Sequence, residues 1–378
     1  MPLSMTPDEA RAWLALLRAP GLGGSRIRTA LTCFGGAAAA SASASAWRDA
    51  GLPPAALAAL QRPDADRLAA DLDWLAAPDH HLVACSSADF PPLLARSPAA
   101  PAALFVVGDP SCLWRPQLGV VGSRNPTAGG RDKARDFAAT LSRAGLTITS
   151  GLAEGIDTAA HAAAIEAGGL TIAVMGTGPD RIYPPGQRAL AQRIVAGGGA
   201  LVSELPPGAG PQREHFPRRN RIIAGLSLGI LVVEAAQRSG ALITARQAAE
   251  AGREVFAIPG SIHNPLARGC HRLIREGVAL VETAQEVLEA IAPLARELGS
   301  ALRDRLDGDA GAPAPASPAP ADPDQERLWR ALGHDPVGMD ELAGRTGLTV
   351  AELSSMLLVM ELEGRVSASN GRYARRRP

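Results

Sequence analysis

The stretch that decides the fold is Val120-Val121-Gly122-Ser123-Arg124-Asn125-Pro126-Thr127. Apolar residues 118–121 before the glycine have the character of a buried strand, and residues 128–144 have the pattern of a helix. A strand, a glycine-containing turn and a helix in this order predict the first corner of a parallel α/β unit. The backbone N–H groups of such a turn and of the helix N-terminus point at one spot, which attracts phosphate.

Four residues of this turn are predicted to form the phosphate site. Gly122 permits a tight turn and close approach of a ligand. Ser123 and Thr127 can donate hydroxyl hydrogen bonds, and Arg124 adds a planar guanidinium that suits a phosphate. A plain turn with a solvated arginine is the alternative, so the prediction needs support from the rest of the chain.

Length and composition narrow the class of protein. The chain has 378 residues, is 46% hydrophobic and has a net charge of +0, so a nucleic-acid role requires a local basic patch. The four cysteines are scattered and form no Cys-x-x-Cys pair, which argues against a disulfide frame and a zinc site. No signal-peptide pattern and no membrane-length apolar run is found, and we expect a cytoplasmic protein without a membrane partner.

Breaks in the apolar pattern predict three domains and a linker. Residues 1–80 are mostly helical, in a layout like a SAM or helix-hairpin-helix domain, with a plain helical packing domain as the alternative. Residues 81–300 alternate strand and helix, which predicts an extended Rossmann-like parallel sheet with ligands beyond the carboxyl ends of its strands. Residues 301–324 read as an Ala- and Pro-rich linker, and residues 325–378 as a winged helix.

The strands of the central domain are short, apolar and rich in β-branched residues, as is typical where helices cover both faces of a sheet. We place them at residues 104–107, 118–121, 147–149, 171–174, 201–203, 229–233 and 254–258.

The winged-helix outline rests on a helix, a turn, a second helix and a hairpin. Thr349 and Glu352 form a predicted capping box at the start of the second helix, and Asn370-Gly371 forms the hairpin turn. The second helix carries glutamates where a duplex-reading helix would carry basic residues, so we favour a protein-contact or regulatory role. The basic residues 375–377 favour nucleic-acid binding by this domain instead.

Residues 213–221, Arg-Glu-His-Phe-Pro-Arg-Arg-Asn-Arg, are the most informative stretch after the first corner. Basic groups hold a phosphate backbone, and an aromatic face such as that of Phe216 stacks on an unpaired base. We predict a nucleic-acid site here, with a solvated cluster and a core phenylalanine as the alternative. The four arginines are Arg213, Arg218, Arg219 and Arg221.

Glycines and polar residues follow the other strands. Gly151 begins a second tight turn, and Asp157 is predicted to cap the helix after it. Asp157 with His161 as an acid/base or metal pair is the weaker alternative, because no third ligand has suitable spacing. Gly176 and Gly178 allow a ligand close to the backbone, but they lack the third glycine of a dinucleotide fingerprint.

The end of the fifth parallel strand adds a second predicted anion site. Ser239-Gly240 precede a helix and can form an anion nest. Glu234, at the strand end before them, is suited to orienting Arg124 or an arginine of the cluster, and a plain surface carboxylate is the alternative. Cys270-His271 has no partner base at motif spacing, so we do not interpret it as catalytic.

Taken together, these segments resemble the bacterial DNA-processing protein A (DprA/Smf) family. The helical and winged-helix regions match the layout of the family through weaker motifs. The matching stretches run in order through the central domain, at residues 122–127, 150–161, 174–184, 203–208, 216–227, 232–244 and 253–261.

The resemblance implies a non-enzymatic, single-stranded DNA-binding homodimer. It implies a role in natural transformation and competence, in which the protein receives and protects incoming strands and helps to load the RecA recombinase. Arg124 would hold a DNA phosphate and Phe216 would contact bases, while Arg213 stands where members often have lysine. Gly186-Gln187 stand where members often have an asparagine after Tyr-Pro, which leaves the detail of that loop open.

Our prediction is therefore a DNA-binding recombination mediator with no cofactor, no metal and no catalytic residue. Phosphates are expected in a pocket lined by Arg124, Gly151 and Ser239. A nucleotide hydrolase of the lysine-decarboxylase-like type and a dinucleotide-dependent oxidoreductase are the alternatives, and the sequence lacks the glycine motif of each. The predicted nucleic-acid-binding residues are Gly122, Ser123, Arg124, Thr127, Gly151, Arg213, Phe216, Arg218, Arg219, Asn220, Arg221, Ser239 and Gly240.

Overall fold

The computed structural model describes residues 5–34, 53–309, 323–332, 337–349, 353, 357, 366–369 and 372–375. The chain divides into two compact units, Met1–Arg305 and Leu306–Pro378. Along the described parts of the chain, no helix is both long enough and apolar enough to cross a membrane.

A nine-stranded sheet forms the centre of the first unit, in the order β1-β2-β6-β5-β4-β3-β7-β8-β9. The pairings of β2 with β1 and with β6 are antiparallel, and all other pairings are parallel. The strands are β1 (His80–Ala84), β2 (Ala103–Gly108), β3 (Gln117–Val121), β4 (Thr147–Ser150), β5 (Thr171–Val174), β6 (Ala200–Ser203), β7 (Gly229–Val232), β8 (Glu254–Ala257) and β9 (Ala279–Leu280).

Helices precede the sheet and connect its strands. The described helices of this unit are α1 (Pro7–Arg18), α2 (Gly24–Phe34), α3 (Pro54–Gln61), α4 (Ala65–Leu75), α5 (Pro92–Ala95), α6 (Ala128–Arg143), α7 (Ile156–Glu166), α8 (Arg188–Ala196), α9 (His215–Leu226), α10 (Gly240–Glu250), α11 (Arg268–Arg275) and α12 (Ala284–Asp309). Short 3₁₀ turns lie at Pro110–Trp114, Pro185–Gln187 and Pro265–Ala267.

Each face of the parallel part of the sheet is covered by its own layer of helices. On one face Ile230 and Val232 of β7 belong to a core with Ile222 of α9. On the other face Leu231 belongs to a core with Ala134 of α6. Because successive strand residues point to opposite faces, a strand covered on both sides must be apolar throughout, which is why these strands read as short continuous apolar runs.

The N-terminal helices pack on the antiparallel edge of the sheet. Trp13 and Leu14 of α1 share a core with Leu82 of β1 and Phe105 of β2. The Arg18 guanidinium also bonds the Asp71 carboxylate of α4 at 2.5 Å, and it donates to the carbonyl of Pro207 in the loop after β6 at 2.9 Å. The helical layer and the sheet therefore form one compact unit.

The second unit contains α13 (Pro323–Ala331), β10 (Val337–Gly338), α14 (Met339–Thr346), β11 (Val366–Ser369) and β12 (Arg372–Arg375). Its three strands form a sheet in the order β10-β12-β11, and Gly347 ends α14 in the left-handed conformation. The predicted capping box with Glu352, the glutamates of the second helix and the Asn370-Gly371 turn lie outside the described residues, as do residues 35–46 and 310–322.

The sequence-based fold class is confirmed as a Rossmann-like α/β sheet. All seven predicted strands are present, and their ends shift by at most one residue. The sheet has two strands more than the sequence predicts, β1 and β9. β1 begins with two histidines, and β9 consists of two residues that are both exposed. Neither pattern is typical of a buried strand. Residues 301–309 belong to α12, so the predicted linker starts too early.

Candidate nucleic-acid interface

The sheet order reverses between β3 and β7, which are parallel neighbours whose connections run to opposite sides. In open α/β sheets this switch point leaves a crevice outside the carboxyl ends of the strands. A cavity of about 650 Å³ lies at this position. Its lining includes Gly122, Ser123, Arg124, Asp157, Tyr183, Arg213, Phe216, Arg219, Asn220, Arg238, Ser239 and Gly240.

A second cavity of about 170 Å³ shares several walls with the first. It is lined by Gly151 and Glu154 and by the rings of Tyr183 and Phe216, together with Arg124. The structure thus brings most of the predicted residues to two adjoining cavities, and Gly151 borders the smaller one. Thr127, Arg218 and Arg221 line neither cavity.

The turn after β3 supplies an exposed arginine and a serine to the larger cavity. Ser123 Oγ accepts a hydrogen bond from Asn125 N at 3.1 Å, and its hydroxyl hydrogen is left for another acceptor. Gly155, with a φ of +84°, permits the loop after β4 to come close, because a Cβ there would lie 2.5 Å from the carbonyl oxygen of Arg124. The two loops fix the backbone from which Arg124 projects.

Gly122 lines the larger cavity and is also closely packed against the protein itself. A Cβ at this position would lie 2.7 Å from Ile156 of α7 and 3.0 Å from the carbonyl oxygen of Glu234. Gly176 likewise faces the Phe216 ring, and a Cβ there would lie 2.9 Å from it. The prediction that Gly176 admits a ligand is wrong, because the protein's own ring occupies that space.

The aromatic part of the cavity consists of two rings with an arginine over one of them. Phe216 lies in the first turn of α9 and is half-buried. Its ring centroid is 5.6 Å from that of Tyr183, and the Arg124 Cζ atom is 5.8 Å from the Phe216 centroid. A guanidinium at this distance is attracted to the ring face, which holds a cation and an aromatic surface side by side.

Arg219 is a buried charge that lines both cavities, whereas the sequence predicts it in a surface cluster. Its side chain donates to the carbonyl of Gly151 at 2.6 Å and also to the carbonyl of Val174. Burial lowers the pKa of Arg219 to about 10, and Arg124 acts in the same direction while Asp157 opposes them. The guanidinium therefore stays protonated at neutral pH.

Asp157 organises the loop after β4 and does not cap α7, so the predicted cap is wrong. The helix N-cap is Gly155, and Asp157 Oδ2 accepts from Gly151 N at 3.0 Å and from Ala153 N at 3.3 Å. Burial raises the pKa of Asp157, and the charge of Arg219 opposes that rise. The His161 Nδ1 atom bonds Thr171 Oγ1 at 2.6 Å, and no described hydrogen bond joins it to Asp157.

Arg221 is also directed away from the cavity. Its guanidinium bonds the carboxylate of Glu204 and the carbonyl of Ala99, so it ties α9 to the N-terminal edge of the domain. Arg218 is exposed, as are Arg213 and Arg238. The residues that sequence reasoning missed are Arg238 and Tyr183, whose signals were the basic residue just before Ser239-Gly240 and the Tyr-Pro pair.

The N-terminus of α10 forms another part of the wall of the larger cavity. Ser239 is its N-cap and accepts from Ala241 N at 3.2 Å. Asn220 Nδ2 donates to the carbonyl of Gly240 at 3.4 Å, which holds α9 against α10. The positive end of this helix and four lining arginines, against the single carboxylate of Asp157, give the cavity an excess of positive charge.

The Glu234 carboxylate lies at the N-terminus of α6, where the sequence predicts a phosphate. Thr127 caps α6 by accepting from Gly130 N, and its hydroxyl donates to Glu234 Oε1 at 2.7 Å. Glu234 does not orient an arginine, in contrast to the prediction. Thr127 is thus used by the fold, and the cationic cavity lies beside this corner.

Metal chemistry has no candidate here, since no cluster of three metal-ligating side chains occurs within the described residues. The fold and the site define a Rossmann-like protein with a cationic, aromatic cavity at the switch point of its sheet.

Comparison with known proteins gives the family. The DNA recombination-mediator protein A family matches residues 81–292, and the DprA winged helix domain matches residues 312–372. Protein Smf of Escherichia coli K12 is 44% identical over 312 residues, which are 81% of this chain and 80% of that protein. DNA processing protein DprA of Streptococcus pneumoniae R6 is 50% identical over 189 residues, which are 50% of this chain and 66% of that protein. The chain belongs to the DNA recombination-mediator protein A family.

Solved structures of relatives support the same fold. The X-ray structure of DprA from Streptococcus pneumoniae has a TM-score of 0.66 at 37% identity, and the match covers 74% of this chain and 97% of that one. A structure of DprA from Helicobacter pylori, described for its single-stranded DNA binding mode, has a TM-score of 0.50 at 26% identity. That match covers 54% of this chain and 93% of the other. The chain is therefore a DNA-processing protein of the recombination-mediator type.

Proposed function

We propose that this chain binds single-stranded DNA in the switch-point cavity without changing it covalently. The observation that carries the proposal is the pairing of Arg124 with the Phe216 ring in a cavity of about 650 Å³. Cationic groups bind phosphates of any sequence, and an aromatic face stacks on any unpaired base. The relative from Helicobacter pylori, whose structure is described for single-stranded DNA binding, supports the same assignment.

The exposed and the buried charges of the cavity would have different roles in binding. Exposed Arg124, Arg213 and Arg238 can follow a flexible backbone, whereas buried Arg219 adds a fixed positive potential from below. The N-terminus of α10 at Ser239 contributes partial positive charge on the facing wall. Phosphate contacts would supply most of the affinity, and the rings would supply the preference for unpaired bases.

In the cell, this binding would serve recombination. The chain would receive and protect incoming single strands during natural transformation and would help to load RecA on them, as a homodimer. Membership of the recombination-mediator family supports this part of the proposal. Native mass measurement tests the dimer, and RecA filament assembly on single strands with and without the protein tests the loading.

A gel-shift assay with a labelled single-stranded oligonucleotide tests DNA binding. Arg124→Ala is expected to weaken binding about 10- to 100-fold, because a hydrogen bond to a charged group contributes about 1.5–3 kcal/mol. Phe216→Ala is expected to weaken it less, by about fivefold, the loss of one weakly stacked base. Arg135→Ala is the matched control, because this arginine is exposed on α6, pairs with Glu166 and lines neither of the two cavities.

Two outcomes would contradict the proposal. One is wild-type affinity of both variants with a normal fold. The other is appreciable hydrolysis of mononucleotides by the pure protein, which would favour the nucleotide-hydrolase alternative. A duplex of the same sequence should compete poorly, since stacking on Phe216 requires an unpaired base.

A further inference from the structure

The carboxylate of Glu234 sits on the N-terminus of α6. Its Oε2 atom accepts from Thr127 N at 2.9 Å, and its Oε1 atom accepts from Thr127 Oγ1 at 2.7 Å. Asn264 Nδ2, from the loop after β8, donates to Oε1 at 3.1 Å. Three donors from two loops thus converge on one carboxylate, and the residue is only 7% exposed.

The backbone of α6 is built to admit this carboxylate. A Cβ at Gly130 would lie 2.5 Å from Glu234 Oε2, so any larger residue would have to displace the carboxylate from its three donors. Gly129 has open space around its Cβ position, so closeness to the carboxylate is specific to one of the two glycines. In Rossmann-like proteins such glycines let a pyrophosphate approach the helix, whereas here the approaching anion belongs to the chain itself.

The position of this contact matters because of where it lies in the sheet. Glu234 follows β7, and Thr127 begins the helix after β3, so their contact spans the switch point between these neighbouring strands. Phosphates bind at that point in open α/β sheets, attracted by helix N–H groups and the helix dipole. The Glu234 carboxylate uses the N–H and hydroxyl of the N-cap residue Thr127 and lies against Gly130, so it repels a second anion at this helix end and leaves it no space.

We propose that Glu234 is a specificity-determining residue that closes the N-terminus of α6 to free phosphate and to nucleoside diphosphates by occupying the position that such an anion would take. The cationic cavity beside it remains open. This inference goes beyond DNA binding and does not depend on it, since it concerns ligands that are rejected at α6.

Removal of the carboxylate tests the proposal through anion binding. Glu234→Ala leaves the three donors facing an empty, positive pocket, so phosphate and formate should enter it. Thermal unfolding is followed during titration with inorganic phosphate, formate or ADP at constant ionic strength in KCl. The variant should be stabilised saturably by phosphate and formate, with phosphate binding on the order of tenfold tighter than in the wild type.

Two controls assign the effect to this corner. The same gain should persist in the Arg124→Ala background, because the anion enters at α6 and not in the arginine cavity. Glu9→Ala is the matched control, because the Glu9 carboxylate also accepts from the backbone N–H and the hydroxyl of a helix N-cap residue, Thr6, but does so in an exposed position. Its loss should lower stability and create no phosphate site, since that helix end is open to solvent.

Glu234→Gln covers the case in which the alanine variant does not fold. The glutamine amide has the volume of the glutamate carboxylate, but it has no charge and its NH₂ group faces the donors of Thr127 and Asn264. Phosphate should therefore displace the glutamine side chain and bind more tightly than it binds to the wild type. If neither variant gains phosphate affinity, or if the wild type binds ADP and keeps that binding in Arg124→Ala, the inference is overturned. No readout uses DNA, so failure here and failure of the proposed function are separate results.

Discussion

The Arg219 guanidinium donates to the carbonyl oxygen of Gly151 at 2.6 Å, although Arg219 belongs to the basic stretch that the sequence marks as a surface for nucleic acid. Arg219 is 5% exposed, while its neighbour Arg218 is exposed. One helical step thus separates an arginine that holds the loop after β4 from one that faces solvent. Adjacent residues on a helix point in different directions, so one basic cluster serves both stability and binding.

Substitution of these two neighbours should separate the two roles. Arg219→Ala is expected to lower the free energy of unfolding by roughly 3–5 kcal/mol, because it leaves two buried carbonyls without their donor and removes the charge that opposes the burial penalty of Asp157. Arg218→Ala should change it by no more than about 0.5 kcal/mol. Urea unfolding measures both. Losses of equal size would show that Arg219 is no more tied to the fold than its neighbour.

Two adjacent glycines of α6 should respond to alanine in opposite ways. Gly130→Ala places a Cβ against the Glu234 carboxylate and should destabilise the protein by roughly 1–3 kcal/mol. Gly129→Ala meets nothing within 4 Å and should stabilise it by about 0.4–1 kcal/mol, because alanine favours the helix. Thermal unfolding of the two variants measures both effects. A Gly130→Ala variant that is more stable than the wild type would contradict a close contact between Gly130 and the Glu234 carboxylate.

The sequence predicts the parallel sheet well because the strands are buried on both faces and their apolar runs are local signals. The turns at the strand ends are predicted in place but not in detail. The sequence predicts ligand approach at Gly122 and Gly176, whereas the Cβ position of Gly176 faces the Phe216 ring and that of Gly122 faces Ile156, although Gly122 also lines the cavity. A glycine indicates only that something lies close. Whether that neighbour is a ligand or another side chain depends on long-range packing.

The same limit applies to charged residues. Glu234 and Thr127 are 107 positions apart, and Arg221 meets the carbonyl of Ala99 across 122 positions. No periodicity or spacing in one sequence reports such partners. The stretches that form the cavity could be identified from composition and position, but the division of their arginines into exposed and buried ones required the fold.

Acid should destabilise the protein through His161. Burial lowers its pKa from 6.5 to about 3, so between these values the unfolded chain binds a proton that the folded chain excludes. Stability is therefore fully present above pH 6.5 and falls by up to about 1.4 kcal/mol per unit as the pH drops toward 3. His161→Gln should unfold with a shallower pH dependence over this range, as measured by urea unfolding at several pH values.

The control for this prediction is His263→Gln, because His263 is exposed. Its pH dependence should match that of the wild type. A wild-type slope that persists in His161→Gln would assign the acid sensitivity to other groups.

The salt dependence of DNA binding should distinguish the arginines that line the cavity from one that serves the fold. Each phosphate contact on a single strand contributes about 0.7 to the slope of log affinity against log salt. Arg124→Ala and Arg213→Ala remove exposed lining charges, so each should reduce the slope by roughly 0.7. Arg221→Ala should leave it unchanged, because its guanidinium pairs with Glu204 away from the cavity. Fluorescence anisotropy over a range of KCl concentrations gives the three slopes. A reduced slope for Arg221→Ala, with wild-type slopes for the other two, would move the DNA path from the cavity to the surface around Arg221 and Glu204.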